Sequence, residues 1–205
     1  DSTISIDTIT ESEFLKSAKK YSPQILMDTS VVVRTDTSFT LKNSNFAKTF
    51  AAFRICECTA STYCGLISPL NLYVVNTVDM HNELAYTQII DSKTGKSFDV
   101  PSCCDPGPVA ILVSPMNQFL LTYSNSYYEH DNCCVYILKV NTDKSKRSYT
   151  LNSYFVINFD RINIDELVWV DEKSFVMSVN ELENPIDYES KRFKYFLRVT
   201  LIQEL

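Results

Sequence analysis

With 205 residues, a net charge of −6 and a pI near 5.0, the chain is long enough for one substantial core and too acidic to offer the clustered Lys and Arg of a nucleic-acid surface. Tyr and Phe number twelve each against three Gly, a composition suited to pleated surfaces packed face to face. No apolar run reaches the roughly 18 residues of a membrane-spanning helix.

The first segment predicts a helix over about 11–21. Thr10 caps it and Glu13, three residues on, completes a capping box. Phe14, Leu15, Ala18 and Tyr21 then recur at helical spacing, and Pro23 closes the segment. From Ser30 onward the pattern changes to period two or to short apolar runs. Strands are predicted at 31–34, 38–41, 49–55, 72–76, 85–90, 96–100 and 109–113. They continue at 119–123, 135–140, 148–151, 154–159, 166–170, 174–179 and 195–202. Each is bounded by Asn, Asp, Ser, Gly or Pro. The run 91–96 reads as a hairpin turn, with Gly95 available for a positive φ.

An internal repeat organises these strands. Ser68-Pro69-Leu70-Asn71-Leu72-Tyr73-Val74-Val75 aligns with Ser114-Pro115-Met116-Asn117-Gln118-Phe119-Leu120-Leu121, 46 residues later (115 − 69). In each copy a turn with Pro and Asn precedes a strand with an aromatic at the same place. Downstream, 84–91 aligns with 134–141, and a looser third copy runs from Trp169 to Met177 with its outer strand at 195–199. A period of 40–50 residues carrying about four strands is the pattern of a propeller blade. The expected fold is one all-β, β-propeller-like domain of three to four four-stranded blade-like sheets, in an open or closed array, with one short N-terminal helix. Its units fall at about 49–100, 101–151 and 154–202, and either the strands before Cys56 make a fourth, degenerate unit or the sheets form an open, propeller-like stack. A β-sandwich with coincidental turn similarity is the competing reading.

That register places the longest connections, 77–83, 124–133 and 180–192, between the second and third strands of their units, so they should emerge together on one face. Loops on a rigid β scaffold are where binding residues concentrate. The first carries Asp79, Met80, His81 and Glu83; the second Tyr127, Tyr128, Glu129, His130 and Asp131; the third Glu181, Glu183, Asp187, Tyr188 and Glu189. Acidic side chains around aromatics suit a protein partner with a basic or polar cleft; solvated polar loops are the bland alternative. His81 and His130, each with carboxylates nearby, could bind a metal or act in general acid/base catalysis if the loops converge. The irregular spacing favours neither, and no metal or cofactor is expected. Gly-x-Ser-x-Gly, phosphate-loop and dinucleotide motifs are absent from the sequence, which favours a binding protein over an enzyme.

Seven cysteines are many for this length. Zinc or redox clusters are one reading of Cys-x-Cys and Cys-Cys spacings; disulfides in an oxidising compartment are the favoured one. Cys58 and Cys64 flank a short link suited to a local bridge. Cys103 or Cys104 could pair with Cys133 or Cys134 and tie one unit together. A first residue Asp1, with no Met and no apolar leader, fits a mature exported chain or one trimmed at its start. None of the 14 Asn lies in an Asn-x-Ser/Thr sequon, which points to a bacterial periplasm.

The Cys-rich strand before Gly65, the hairpin Ile90-Asp91-Ser92-Lys93-Thr94-Gly95-Lys96 and the two Ser-Pro-x-Asn turns carry a resemblance that spans Cys56 to Asn180. This stretch resembles the periplasmic propeller-like immunity proteins of type VI secretion systems, which neutralise peptidoglycan-degrading amidase effectors. The vicinal Cys pairs and the N-terminal helix fall outside the pattern. The resemblance implies a periplasmic inhibitor that occludes the active site of a cognate toxin. The register of the repeat nominates residues 127–131 as the central plug, flanked by the loops around Asp79 and Asp187. An exported scaffold or adhesion module without an enzyme target is the alternative.

Overall fold

The computed structural model describes residues 2–22, 25–52, 59–79, 81–82, 84–103, 107–125, 132–143, 148–182 and 192–203. Among them the chain forms one helix, α1 (Glu11–Ala18), and strands arranged in four antiparallel sheets. The capping box is present: the Thr10 amide and hydroxyl both donate to the Glu13 carboxylate at 2.9 Å, while the Glu13 amide donates back to Thr10 Oγ1 at 3.3 Å.

Sheet I is a three-stranded meander of β3 (Val32–Arg34), β4 (Ser38–Lys42) and β5 (Ala47–Ala51). Sheet II runs β2 (Ile25–Leu26), β6 (Thr59–Ile67), β7 (Leu72–Asp79), β8 (Leu84–Asp91) and β9 (Ser97–Val100). Sheet III is β10 (Ala110–Val113), β11 (Phe119–Asn125), β12 (Cys133–Asp143) and β13 (Ser148–Phe159). Sheet IV is β14 (Ile162–Trp169), β15 (Ser174–Leu182), β16 (Arg192–Gln203) and, paired to β16, the N-terminal β1 (Ser2–Ile9).

Strand alternation determines how the sheets stack. In β7, Tyr73 and Val75 pack with Phe39, Leu41 and Phe50 of sheet I, while Leu72 and Val74 pack with Ile111, Val113 and Leu120 of sheet III. In β11, Leu120 joins that second core, while Phe119, Leu121 and Tyr123 turn toward Trp169, Phe175 and Met177 of sheet IV. On β15, Phe175, Met177 and Val179 face sheet III, and Val176 faces outward to meet Phe14 of α1. The order is therefore I–II–III–IV–α1, with apolar cores in the gaps. This explains why the central strands read as continuous apolar runs: both faces are buried. Phe175, Met177 and Leu121 are fully buried, each contributing roughly 1.5–3 kcal/mol by removal from water.

The repeat appears in the turns. Asn71 and Asn117 both adopt left-handed backbone (φ 51° and 62°), and each amide donates to the carbonyl three residues earlier, Ser68 and Ser114, at 3.3 and 2.9 Å. Asn tolerates this conformation better than other side-chain-bearing residues, which is why it stands at the same place in both copies. Gly95 has φ 71° in the β8–β9 hairpin, and a Cβ there would lie 3.0 Å from the Phe46 ring.

The structure corrects several sequence boundaries. The segments 148–151 and 154–159 form one strand, β13, wholly within sheet III, so the third unit does not begin at 154. Its fourth strand is β1 instead. Residues 49–51 belong to sheet I, and the first long strand of sheet II is β6. Among the described residues before Cys56, the strands from Val32 to Ala51 form the three-stranded sheet I.

Cys103 and Cys134 form a disulfide with Cα atoms 6.2 Å apart, joining the segment after β9 to β12. The local Cys58–Cys64 bridge is not formed, and Cys64 keeps a free thiol. Thr59 to Cys64 runs extended along β6, about 16 Å at 3.3 Å per residue. Cys58 itself lies outside the described residues. Cys133 is buried in the core between sheets III and IV, and Cys104 lies outside the described residues.

Candidate binding end of the stacked sheets

Each of sheets II, III and IV contributes a strand pair, β7–β8, β11–β12 and β15–β16, whose connection is one of the long segments. The strand ends from which these segments depart lie at one end of the stack. Asn125, the last residue of β11, is buried; its Nδ2 donates to the Ile164 carbonyl at 2.9 Å and its Oδ1 accepts from the Ile164 amide at 3.0 Å. Ile164 pairs in turn with Val179, three residues before the end of β15. The Arg161 amide also donates to Asn132 Oδ1 at 3.3 Å, just before β12. Between sheets II and III, the Ser102 and Ser124 hydroxyls are 2.7 Å apart. Gly107 approaches Ala85 so closely that a Cβ would fall 2.8 Å from its carbonyl oxygen.

At this end the β7–β8 connection is a side-chain-stabilised turn. The Asp79 carboxylate accepts from the His81 and Asn82 amides at 3.0 and 3.2 Å and from Asn82 Nδ2 at 2.8 Å. The Asn82 side chain, followed by the turn amides, holds this carboxyl below the usual aspartate range. Asp79 is thus first a turn former, and His81 is exposed beside it. Glu181, in β15, stands across from Phe193 of β16 and is half-buried. Nearby Tyr195 has its phenol pushed up chiefly by burial, with the Glu181 and Cys133 charges adding to the effect. Asp165 accepts from Asn180 Nδ2 at 2.5 Å and pairs with Lys194 at 3.1 Å, an exposed ion pair of small energetic consequence. Met80, Glu83, Tyr127, Tyr128, Glu129, His130, Asp131, Glu183, Asp187, Tyr188 and Glu189 lie outside the described residues.

No protein-family model, curated protein or solved structure matches this chain.

The same end exposes apolar side chains that the loop-based reading missed. Leu84 and Tyr86, at the start of β8, share a face with Asp79; they are 54% and 41% exposed. Val109 and Phe193 are similarly exposed beside β10 and on β16. The available signal was their position: large apolar residues next to long polar segments, where a solvated strand end would carry polar ones. Among the described residues no group of three or more His, Cys, Asp and Glu side chains could hold a metal ion, and no helix is long and apolar enough to cross a membrane.

Proposed function

We propose that this chain is an exported inhibitor, an immunity protein that blocks a secreted toxin enzyme of the peptidoglycan-amidase class, with its four sheets acting as blades of an open propeller-like array. The observation that carries the reading is the gathering of three strand-pair ends, with their exposed Leu84, Tyr86 and Phe193, where the three acidic and Tyr-bearing segments depart. An apolar centre within a polar, charged rim is the composition of a protein-binding surface. A rigid stack behind it would limit the entropy lost on binding. The Cys103–Cys134 bridge supports an oxidising compartment such as the periplasm. Glu129, His130, Asp131, Tyr127 and Tyr128 enter the toxin's cleft, and the segments around Asp79 and Asp187 flank it.

The test is titration calorimetry against a panel of peptidoglycan amidases. Tight binding that is weakened by the double reversal Glu129→Lys/Asp131→Lys, and by Leu84→Ser, is the expected result. Unchanged affinity in the reversal removes the plug. Absence of binding to any cell-wall amidase, with retention on envelope extracts, replaces the inhibitor by the scaffold reading.

A further inference from the structure

A cleft of about 480 Å³ opens on the opposite side of the stack's core, where α1 crosses the short turns of sheets III and IV. Its walls are the 13-16-17-20 stripe of the helical segment and Arg198 of β16; its floor is Val113, Pro115, Trp169 and Val170. Three cations, Lys16, Lys20 and Arg198, face one carboxylate, Glu13. That carboxylate is already engaged by Thr10 in the capping box. Among the described residues none of the three cations forms an ion pair, although the chain as a whole carries −6. Arg198 is half-buried, and its Nε is buried without a hydrogen-bond partner.

The floor has the opposite character, because its polar tip is satisfied. Trp169 Nε1 donates to the Leu112 carbonyl at 3.3 Å. What remains for a ligand is the accessible apolar surface of Pro115 and Val170 beside Lys16, Lys20 and Arg198, whose charge also acts on the Glu13 carboxylate and whose Nε has no hydrogen-bond partner.

We propose that this cleft binds a small organic oxyanion: a phosphate monoester or carboxylate on a compact apolar body, its charged end at Arg198 and its body against Pro115 and Val170, with the buried Trp169 beneath them. Guanidinium geometry favours bidentate oxyanions, and the volume lies in the range of small-molecule sites. The site is independent of the inhibitor reading, since it lies at the other end of sheets III and IV.

Trp169 is the sole tryptophan of the chain, so its fluorescence reports on the cleft directly. The probes are phenyl phosphate, benzoate, inorganic phosphate and neutral benzyl alcohol. Saturable change with phenyl phosphate or benzoate, weaker with inorganic phosphate and absent with benzyl alcohol, is expected; the stronger of the first two identifies the headgroup. Arg198→Gln should abolish binding. Lys16→Gln/Lys20→Gln, confined to exposed side chains, should weaken it about tenfold with the melting temperature kept. No saturable change with either aromatic oxyanion at tens of millimolar, or unchanged affinity in the double lysine variant, overturns the proposal.

Discussion

Asn125→Ala tests the clamp that holds the loop ends of sheets III and IV together. The β14–β15 register shifts between Ile164 and Glu166, so the strand leaves its ladder locally, and the Asn125 amide bonds to both polar groups of the Ile164 backbone. Asn125 and Ile164 are 4% and 3% exposed, which prevents water from replacing the lost partner. Each buried group left unsatisfied costs about 1–3 kcal/mol, so with both Ile164 backbone groups unpaired the variant should lose about 2–6 kcal/mol. For a chain of this length 1 kcal/mol corresponds to about 2–4 °C, giving a melting temperature lower by about 4–24 °C. Asn125→Asp should do no better, since it retains an acceptor for the amide and turns a second oxygen toward the carbonyl. Thr40→Ala is the control: its hydroxyl meets Thr49 Oγ1 at 2.9 Å on an exposed face, and its loss should cost within about 0.5 kcal/mol. Circular dichroism melts read all three. A fall in Asn125→Ala as small as that of the control would show that the two loop ends are not clamped through this residue.

The Cys103–Cys134 bridge closes a span of 31 residues, which on the chain-entropy model stabilises by about 3–4 kcal/mol. Reduction should lower the urea midpoint accordingly, and peptide mapping of the unreduced protein should recover the 103–134 link; a midpoint insensitive to reductant would refute it. Burial raises the Tyr21 phenol to about 12, the Val113 backbone bond only partly offsetting it. Because the folded value lies above the unfolded value of about 10, this contribution is complete below pH 10 and is lost as the pH rises toward 12. Tyr21→Phe should flatten that alkaline decline, and an unchanged stability–pH curve from 9 to 12 would count against the assignment.

The sequence disclosed what local chemistry dictates. Thr10 with Glu13 announced the helix start, and Asn71 and Asn117 marked equivalent turns because few residues accept their backbone angles. The period then placed three long connections in equivalent positions. It could not show that β1 completes sheet IV, because that pairing joins the two ends of the chain and leaves no local trace. Nor did it separate 148–151 from 154–159 correctly: the polar Asn152-Ser153 pair reads as a turn but sits at a register shift in the outermost strand of sheet III. The cleft under α1 was equally hidden. Lys16, Lys20 and Arg198 meet only because the last strand returns beneath the first helix.

The two ends of the stack divide the work between them. At the short-turn end, the Glu172 carboxylate of sheet IV accepts from Ser114 Oγ and the Met116 amide at 2.6 Å and from the Gln118 amide at 3.1 Å, locking it onto the repeat turn of sheet III. Rigid turns and this latch fix the sheet spacing there, so the long segments at the opposite end need not hold the fold together. Lengthening such segments adds little closure entropy, about 0.6 kcal/mol per doubling. Their composition can therefore follow the demands of a partner. The charges separate in the same way: in the sequence carboxylates recur along the long segments, while Lys16, Lys20 and Arg198 gather under α1. On the two readings proposed above, a cationic partner would be drawn to one end and a small anion to the other, so occupancy of either site would leave its counterpart open.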